Sequence, residues 1–262
     1  MILHTFSIFD GIGEKTERRL WEEGVLTWDD LMDVKEMSVC SSRRLDIMRE
    51  SACYLSEELR RSNPEPFASY LRQRDHWRLF ERFRDGVACL DIETNGLPHG
   101  RGGDLTVVGI YRNGEYIPLV KDETLSIDSI SDALKGVKLL VTFFGAGFDI
   151  PFLQRVYPGI DLRIPHFDLS FGARRLGIKG GLKKIEAVFG LSRSEGIEGL
   201  DGYGAVLLWR SWRRGQAEAL ERLIEYNRAD TVNLFLIAER LYSLLREETG
   251  IERFLGNGRP TQ

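Results

Sequence analysis

Cys89-Leu90-Asp91-Ile92-Glu93-Thr94-Asn95-Gly96-Leu97, entered through Val87-Ala88, is the stretch on which the reading of this chain turns. A short apolar run of this kind is a buried strand. Side chains two apart on a strand share a face. Asp91 and Glu93 therefore project together, and Ile92 points to the opposite side. Two acids held close repel, and one takes up a proton unless a cation removes the conflict. Taken alone, the pair also reads as two solvated acids at a strand end.

The texture of the chain changes at Gly86. Beyond the first strand, Leu105 to Tyr111 and Glu115 to Val120 are apolar runs split by Asn113-Gly114, a strong hairpin signal. Leu139 to Phe144 reads as a fourth strand, and Asp161 to Pro165 opens a fifth. Helices are expected near 128–135, 150–157, 181–189 and 203–214, with a long one near 216–247. Hairpin-linked strands followed by strands alternating with helices predict an α/β fold, a mixed five-stranded sheet with flanking helices. Before Gly86 the pattern is helical over about 14–23, 27–35, 42–62 and 66–85. Asn63-Pro64-Glu65-Pro66 separates the last two, because proline cannot continue a helix interior. The expected division is a small all-α domain over 1–85 and an α/β domain over 86–262.

Composition narrows the class. The 262 residues are 42% hydrophobic and 29% charged, which excludes a disordered, collagen-like or disulfide-stapled chain. Three scattered cysteines contain no CxxC pair, so a zinc site is not expected and a reducing compartment is. No apolar run reaches the roughly 18 residues that span a membrane. The first residues lack the basic start of a signal peptide, so the expected location is cytoplasmic. A net charge of −4 means that any polyanion site must come from local clustering.

Two further acids stand out. Asp149 follows the fourth strand after Gly145-Ala146-Gly147 and precedes Pro151, which suits a first helical turn. It also reads as a simple helix N-cap. On the long C-terminal helix, Leu220, Leu223, Leu234, Ile237, Ala238, Leu241, Leu244 and Leu245 fall on one stripe at about 100° per residue. Asp230 lies near the middle of that stripe, with Tyr226 one turn earlier at its edge. A carboxylate there is costly unless a cation or donors satisfy it. The structural alternative is a salt bridge to a buried arginine, and Arg222 and Arg228 are poorly placed to provide one.

The three segments together resemble the motifs of the DEDD exonucleases. Cys89 to Leu97 is similar to their first motif, Gly145 to Leu153 to their second, and Tyr226-Asn227-Arg228-Ala229-Asp230 to their third, Tyr-x-x-x-Asp. The tyrosine marks the DEDDy subclass; the histidine subclass carries its histidine where this chain has Glu225. The resemblance spans roughly 86–245. It departs at Phe144, where the second motif often carries Asn.

The resemblance implies a ribonuclease-H-like fold and a metal-dependent 3′–5′ exonuclease that releases nucleoside 5′-monophosphates. It implies two divalent cations, Mg²⁺ or Mn²⁺, with Asp91 bridging both. Glu93 and Asp230 complete the water-activating site, Asp149 serves the second ion, and Tyr226 orients the attacking water. Single-stranded DNA or RNA is the expected substrate, with a DNA polymerase or a repair or processing protein as partner. The alternatives are an exoribonuclease in RNA processing and a non-catalytic nucleic-acid-binding protein on the same fold.

Local charge agrees with a polyanion. Arg174, Arg175, Lys179, Lys183, Lys184 and Arg193 face one acid, Glu186, between Phe171 and Arg193. Trp209-Arg210-Ser211-Trp212-Arg213-Arg214 interleaves indoles with guanidinium groups, which stack on bases and pair with phosphates. Helical spacing places Trp209 in the core. Thr94, Phe148, Arg174, Lys179, Lys183, Lys184 and Arg213 are the expected nucleic-acid contacts. His166 and Asp168 read as a strand-end histidine and a helix cap. In the first domain, Phe6 to Thr16 resembles the turn of a helix-hairpin-helix motif, with Asp10, Glu14 and Glu17 as uncharacteristic acids.

Overall fold

A computed structural model describes residues 1–256. Four helices occupy the first third: α1 (Glu14–Glu22), α2 (Asp30–Asp33), α3 (Ser42–Arg60) and α4 (Glu65–Tyr70). The remainder runs β1 (Val87–Thr94), β2 (Leu105–Arg112), β3 (Glu115–Val120), α5 (Ile127–Leu134), β4 (Leu139–Thr142), α6 (Asp149–Val156) and β5 (His166–Asp168). It closes with α7 (Leu169–Arg175), α8 (Leu182–Val188), α9 (Gly202–Trp212), α10 (Ala217–Thr249) and α11 (Glu252–Leu255).

The sheet is mixed and five-stranded, in the order β3-β2-β1-β4-β5. The β1–β2–β3 meander is antiparallel, and β1, β4 and β5 run parallel. Alternation along β1 sorts the two faces. Ala88, Leu90 and Ile92 pack with Ile130 and Leu134 of α5 and Phe152 and Leu153 of α6. Val87 and Cys89 pack with Leu234, Ile237 and Leu241 of α10. A register shift between Glu93 and Thr94 re-aims the strand where it leaves that face. Among the described residues, no helix is long and apolar enough to cross a membrane.

The N-terminal helices share the α10-side core with the sheet. Phe80 packs against Phe167, Phe235 and Tyr242 with ring centres 5.6–6.2 Å apart. Beneath them Arg78 pairs with Glu17 at 2.9 Å, each about 1% exposed. Glu17 also accepts from the Ser7 amide, so this acid of the glycine-rich turn serves the interior.

Three expected elements differ. The helix expected over 66–85 is α4 followed by 3₁₀ turns at Gln73–Leu79 and Arg84–Gly86. Asp75 to Leu79 are buried without a break. A one-sided α-helix cannot bury five successive residues, so the chain threads between the arm and the sheet instead. The helix expected over 27–35 shrinks to α2, because the Asp30 carboxylate accepts from the amides of Leu26 and Thr27 and turns the chain there. The fifth strand begins at His166 rather than near 161, since Pro165 has no N–H to give a ladder. Helix α7 follows it at once, and of that helix the sequence reading had only the cap, Asp168, whose side chain accepts from the Ser170 amide.

Candidate active site

Strand β1 and helix α10 deliver the acids. Asp91 and Glu93 leave β1 on the face that α10 crosses, and Asp230 descends from the middle of α10. One oxygen of each lies within 4.8 Å of the others. Asp149 opens α6, directly after the turn that leaves β4. The N-cap position is Phe148, and the Asp149 carboxylate takes a bond from its own first-turn amide. It accepts from the Ile92 amide at 3.2 Å, on the β1 backbone between the other two acids. Glu93, Asp149 and Asp230 are 5–7% exposed, while Asp91 is half-buried. All four line one cleft of about 780 Å³, with Tyr226 beside them.

Burial of four acids beside one guanidinium, that of Arg193, leaves these carboxylates hard to ionise. Desolvation, followed by repulsion from Asp230, raises the Asp91 and Glu93 carboxyls well above their usual range. Desolvation pushes Asp149 up to about 7, against the pull of its amide contacts. An acid whose folded pKa is raised loses its stabilising proton as pH climbs from its unfolded pKa through the folded one. Unfolded histidines, half protonated at about pH 6.5, push the other way until they are essentially neutral at about pH 7.5. Melted in EDTA, the wild type is therefore expected to lose stability between about pH 7.5 and 8.5, where the raised acids act alone. Asp91→Asn, with one charge fewer in the cluster, should give a flatter profile. Equal slopes would show that the acids do not repel.

Two partners that sequence reasoning missed hold the cluster together. Asn227, three residues before Asp230, donates to Asp91 Oδ2 at 2.9 Å and to Glu93 Oε1 at 3.4 Å. Tyr116 on β3 donates to Asn227 Oδ1 at 2.8 Å, which fixes the amide's orientation. Room for this comes from Gly109, which faces Asp91 across the β1–β2 ladder. A Cβ there would overlap both Asn227 Oδ1 and the Thr231 hydroxyl. A lone glycine inside a strand pattern signals such a close approach, so the signal was present in Val107-Val108-Gly109-Ile110. Gly109→Ala is expected to cost about 1–3 kcal/mol of stability through overpacking. It should also displace Asn227 from the acids, and a denaturant titration measures the stability loss.

The second missed partner is Arg193. Its guanidinium bonds Glu186 through two contacts of 2.9 Å and also pairs with Asp230. Glu186 is itself buried and accepts from Asn233 at 2.8 Å. Arg193 Nη1 is buried with no hydrogen-bond partner. Arg222 and Arg228 are not the partners of Asp230, in line with the sequence reading, but an arginine outside α10 is. Its signal was folded into a basic cluster that was read as local charge for a polyanion.

Tyr226 is 5% exposed, and desolvation and then the Asp230 charge push its hydroxyl up. It stays protonated and acts as a donor, and its hydrogen bond favours the charged form of Asp230. The guanidinium of Arg193 and the ammonium of Lys183 each lie 5.5 Å from its ring centre.

Among the expected nucleic-acid contacts, Thr94 and Phe148 line the cleft with the acids. Lys183 is exposed and reaches the cleft's edge through Tyr226. Arg174, Lys179, Lys184 and Arg213 do not line it. Arg174 bonds the Ser170 carbonyl at 3.1 Å and covers the Phe171 ring. Arg213 pairs with Asp122 at 2.7 Å and lies over both Trp209 and Trp212. Trp209 is in the core, packed with Val107, Leu223 and Tyr226. His166 bonds the Thr142 hydroxyl at 2.7 Å, and burial holds its ring neutral with a pKa of about 4. Asp168 accepts from the amides of Phe144, Ala146 and Ser170.

A family model described as the RNase_H superfamily matches residues 88–242, more than half of the chain. No curated protein matches it.

Proposed function

The chain belongs to the RNase_H superfamily, and from that premise we propose that it is a divalent-metal-dependent 3′–5′ exonuclease of the tyrosine-type DEDD class. The observation that carries this reading is the convergence of Asp91, Glu93 and Asp230, with Asp149 in the same cleft. The donor set is all oxygen and all carboxylate, which suits Mg²⁺ or Mn²⁺. The burial and charge repulsion that hold the Asp91 and Glu93 carboxyls protonated fit a cluster built for a cation.

Asp91, Glu93 and Asp230 would hold one ion, with Asp91 shared by a second ion that Asp149 serves. When bound, the ions lower the pKa of water and neutralise charge on the scissile phosphate. Asn227 orients the Asp91 and Glu93 oxygens. Tyr226 stays protonated, since its raised pKa removes it as a base, and with its one O–H given to Asp230 its phenolic oxygen would accept from the attacking water and orient it. Thr94 and Phe148 border the position of the terminal nucleotide, and Lys183 meets a phosphate at the edge. Single-stranded DNA or RNA is the substrate class. The N-terminal arm, as a domain over 1–85 with its Gly11–Gly13 turn of helix-hairpin-helix type, is the place for a polymerase, repair or processing partner.

The test uses 5′-labelled DNA and RNA strands, single and double, with EDTA, Mg²⁺ or Mn²⁺. The expected result is stepwise shortening from the 3′ end with release of 5′-monophosphates, lost in EDTA and regained with Mn²⁺. Robust cleavage in EDTA, or internal cuts with no mononucleotide, would contradict the reading.

A further inference from the structure

Phe144 follows β4 by two residues and has a backbone φ of +62°. Among the described residues, the other non-glycine positions with positive φ are Ser62, Asn113 and Asp122. Small polar residues adopt this left-handed region because their short side chains bond locally. A bulky aromatic residue there is a true outlier. Strain of this kind persists only where the surroundings impose it, and here they do. The Phe144 amide donates to Asp168 Oδ1 at 2.9 Å. Its carbonyl accepts from the amides of Gly147 and Phe148 at 3.0 and 3.1 Å.

The strained ring is not placed there to fill the interior, since Phe144 is 51% exposed. Its tip rests on Gly147, where an added Cβ would lie 2.7 Å from Cζ. The ring borders the acid-lined cleft, and it has company. Of thirteen large hydrophobic residues that are exposed, Leu97, Phe144, Phe148 and Tyr203 line this one cleft. Beyond the phosphate that the ions would hold, the charge of the lining side chains does not explain how a polyanion would stay there. Among the described residues lining it, Arg155 is the one basic side chain, against four acids.

We propose that Phe144 is a stacking platform for an unpaired base at the end of a single strand, and that this cleft binds its substrate through bases more than through phosphates. The inference rests on the nuclease reading above and extends it to what the site recognises. Base–aromatic contact is tolerant of sequence and requires a base that is free of its partner. A duplex end, whose bases are stacked and paired, is a poor substrate for such a surface. Binding that involves about one phosphate contact has a shallow salt dependence, with a slope of about −0.7 in log affinity against log salt for a single strand.

The experiment measures fluorescence anisotropy of a labelled 12-nucleotide single strand with the full chain in Ca²⁺, beside thermal melts. Phe144→Asn is expected to weaken binding by about 5- to 100-fold, the loss of one stacked base. The same variant should melt at or above the wild type, because Asn accepts the left-handed backbone. Phe144→Trp should bind at least as tightly as the wild type, and a blunt duplex should bind more weakly than the single strand. Wild-type binding with Phe144→Asn equally tight would overturn this inference alone. So would Phe144→Asn melting well below the wild type, which makes the ring a packing element. A wild type that binds no oligonucleotide would overturn the nuclease reading and this inference with it.

Discussion

Asp230→Asn is expected to reduce cleavage about a thousandfold or more while leaving the melting temperature in EDTA close to that of the wild type. The cleavage loss follows from the carboxylate's place within 4.8 Å of Asp91 and Glu93. Removing its charge withdraws several kcal/mol of metal-centred stabilisation, at about 1.4 kcal/mol per tenfold in rate. The stability outcome turns on Arg193. That guanidinium keeps both bonds to Glu186 in the variant, and an Asn oxygen can still accept from it. Repulsion on Asp91 and Glu93, for which Asp230 is the leading charged cause, is relieved at the same time. Kinetics in Mn²⁺ and melts in EDTA check the two halves separately. A large drop in melting temperature with normal cleavage would make Asp230 a structural ion-pair residue.

Arg193→Met has the opposite signature. Arg193, Glu186 and Asp230 have side chains 3–9% exposed, so the ion pairs are screened little. Breaking a buried pair from one side leaves uncompensated charge and costs about 3–5 kcal/mol. For a chain of this size that is a fall of roughly 10 °C. The loss should be largest near pH 8, where Asp230 and the acids beside it are charged, and smaller near pH 5.5, where protonation of Asp91 and Glu93 relieves the cluster. Saturating Mn²⁺ should restore part of it, because an ion that binds only the folded state stabilises it by mass action. Melts at both pH values with and without Mn²⁺ read this directly. A variant as stable as the wild type in EDTA at pH 8 would remove Arg193 from the account of the cluster.

The acids were legible because strand and helix periodicities place them without tertiary information. Two-residue alternation sets Asp91 and Glu93 on one face, and the 3.6-residue turn puts Asp230 on the buried stripe. The Asn113-Gly114 turn signal located the hairpin, and the helical period located the long α10. The supports were not legible, because each is a contact between distant elements. Arg193 reaches Asp230 from the stretch between α8 and α9, and Tyr116 reaches Asn227 from β3. Neither has a local pattern. The Gln73–Leu79 turns failed for a related reason: their burial on all sides comes from the sheet and the arm together. Asp149 was ambiguous in sequence, since an acid before Pro151 suits a cap, and only the Ile92 amide shows where its carboxylate goes.

Calorimetric titration of Mn²⁺ into the metal-free protein at pH 7, repeated in buffers of different ionisation enthalpy, tests the central claim that these carboxylates form a metal centre. The account predicts saturable binding with net proton release, because acids held protonated by burial and repulsion must ionise to serve as ligands. It predicts that Asp91→Asn loses most of that heat while remaining folded. No saturable binding by the wild type, or equal binding by Asp91→Asn, would contradict it.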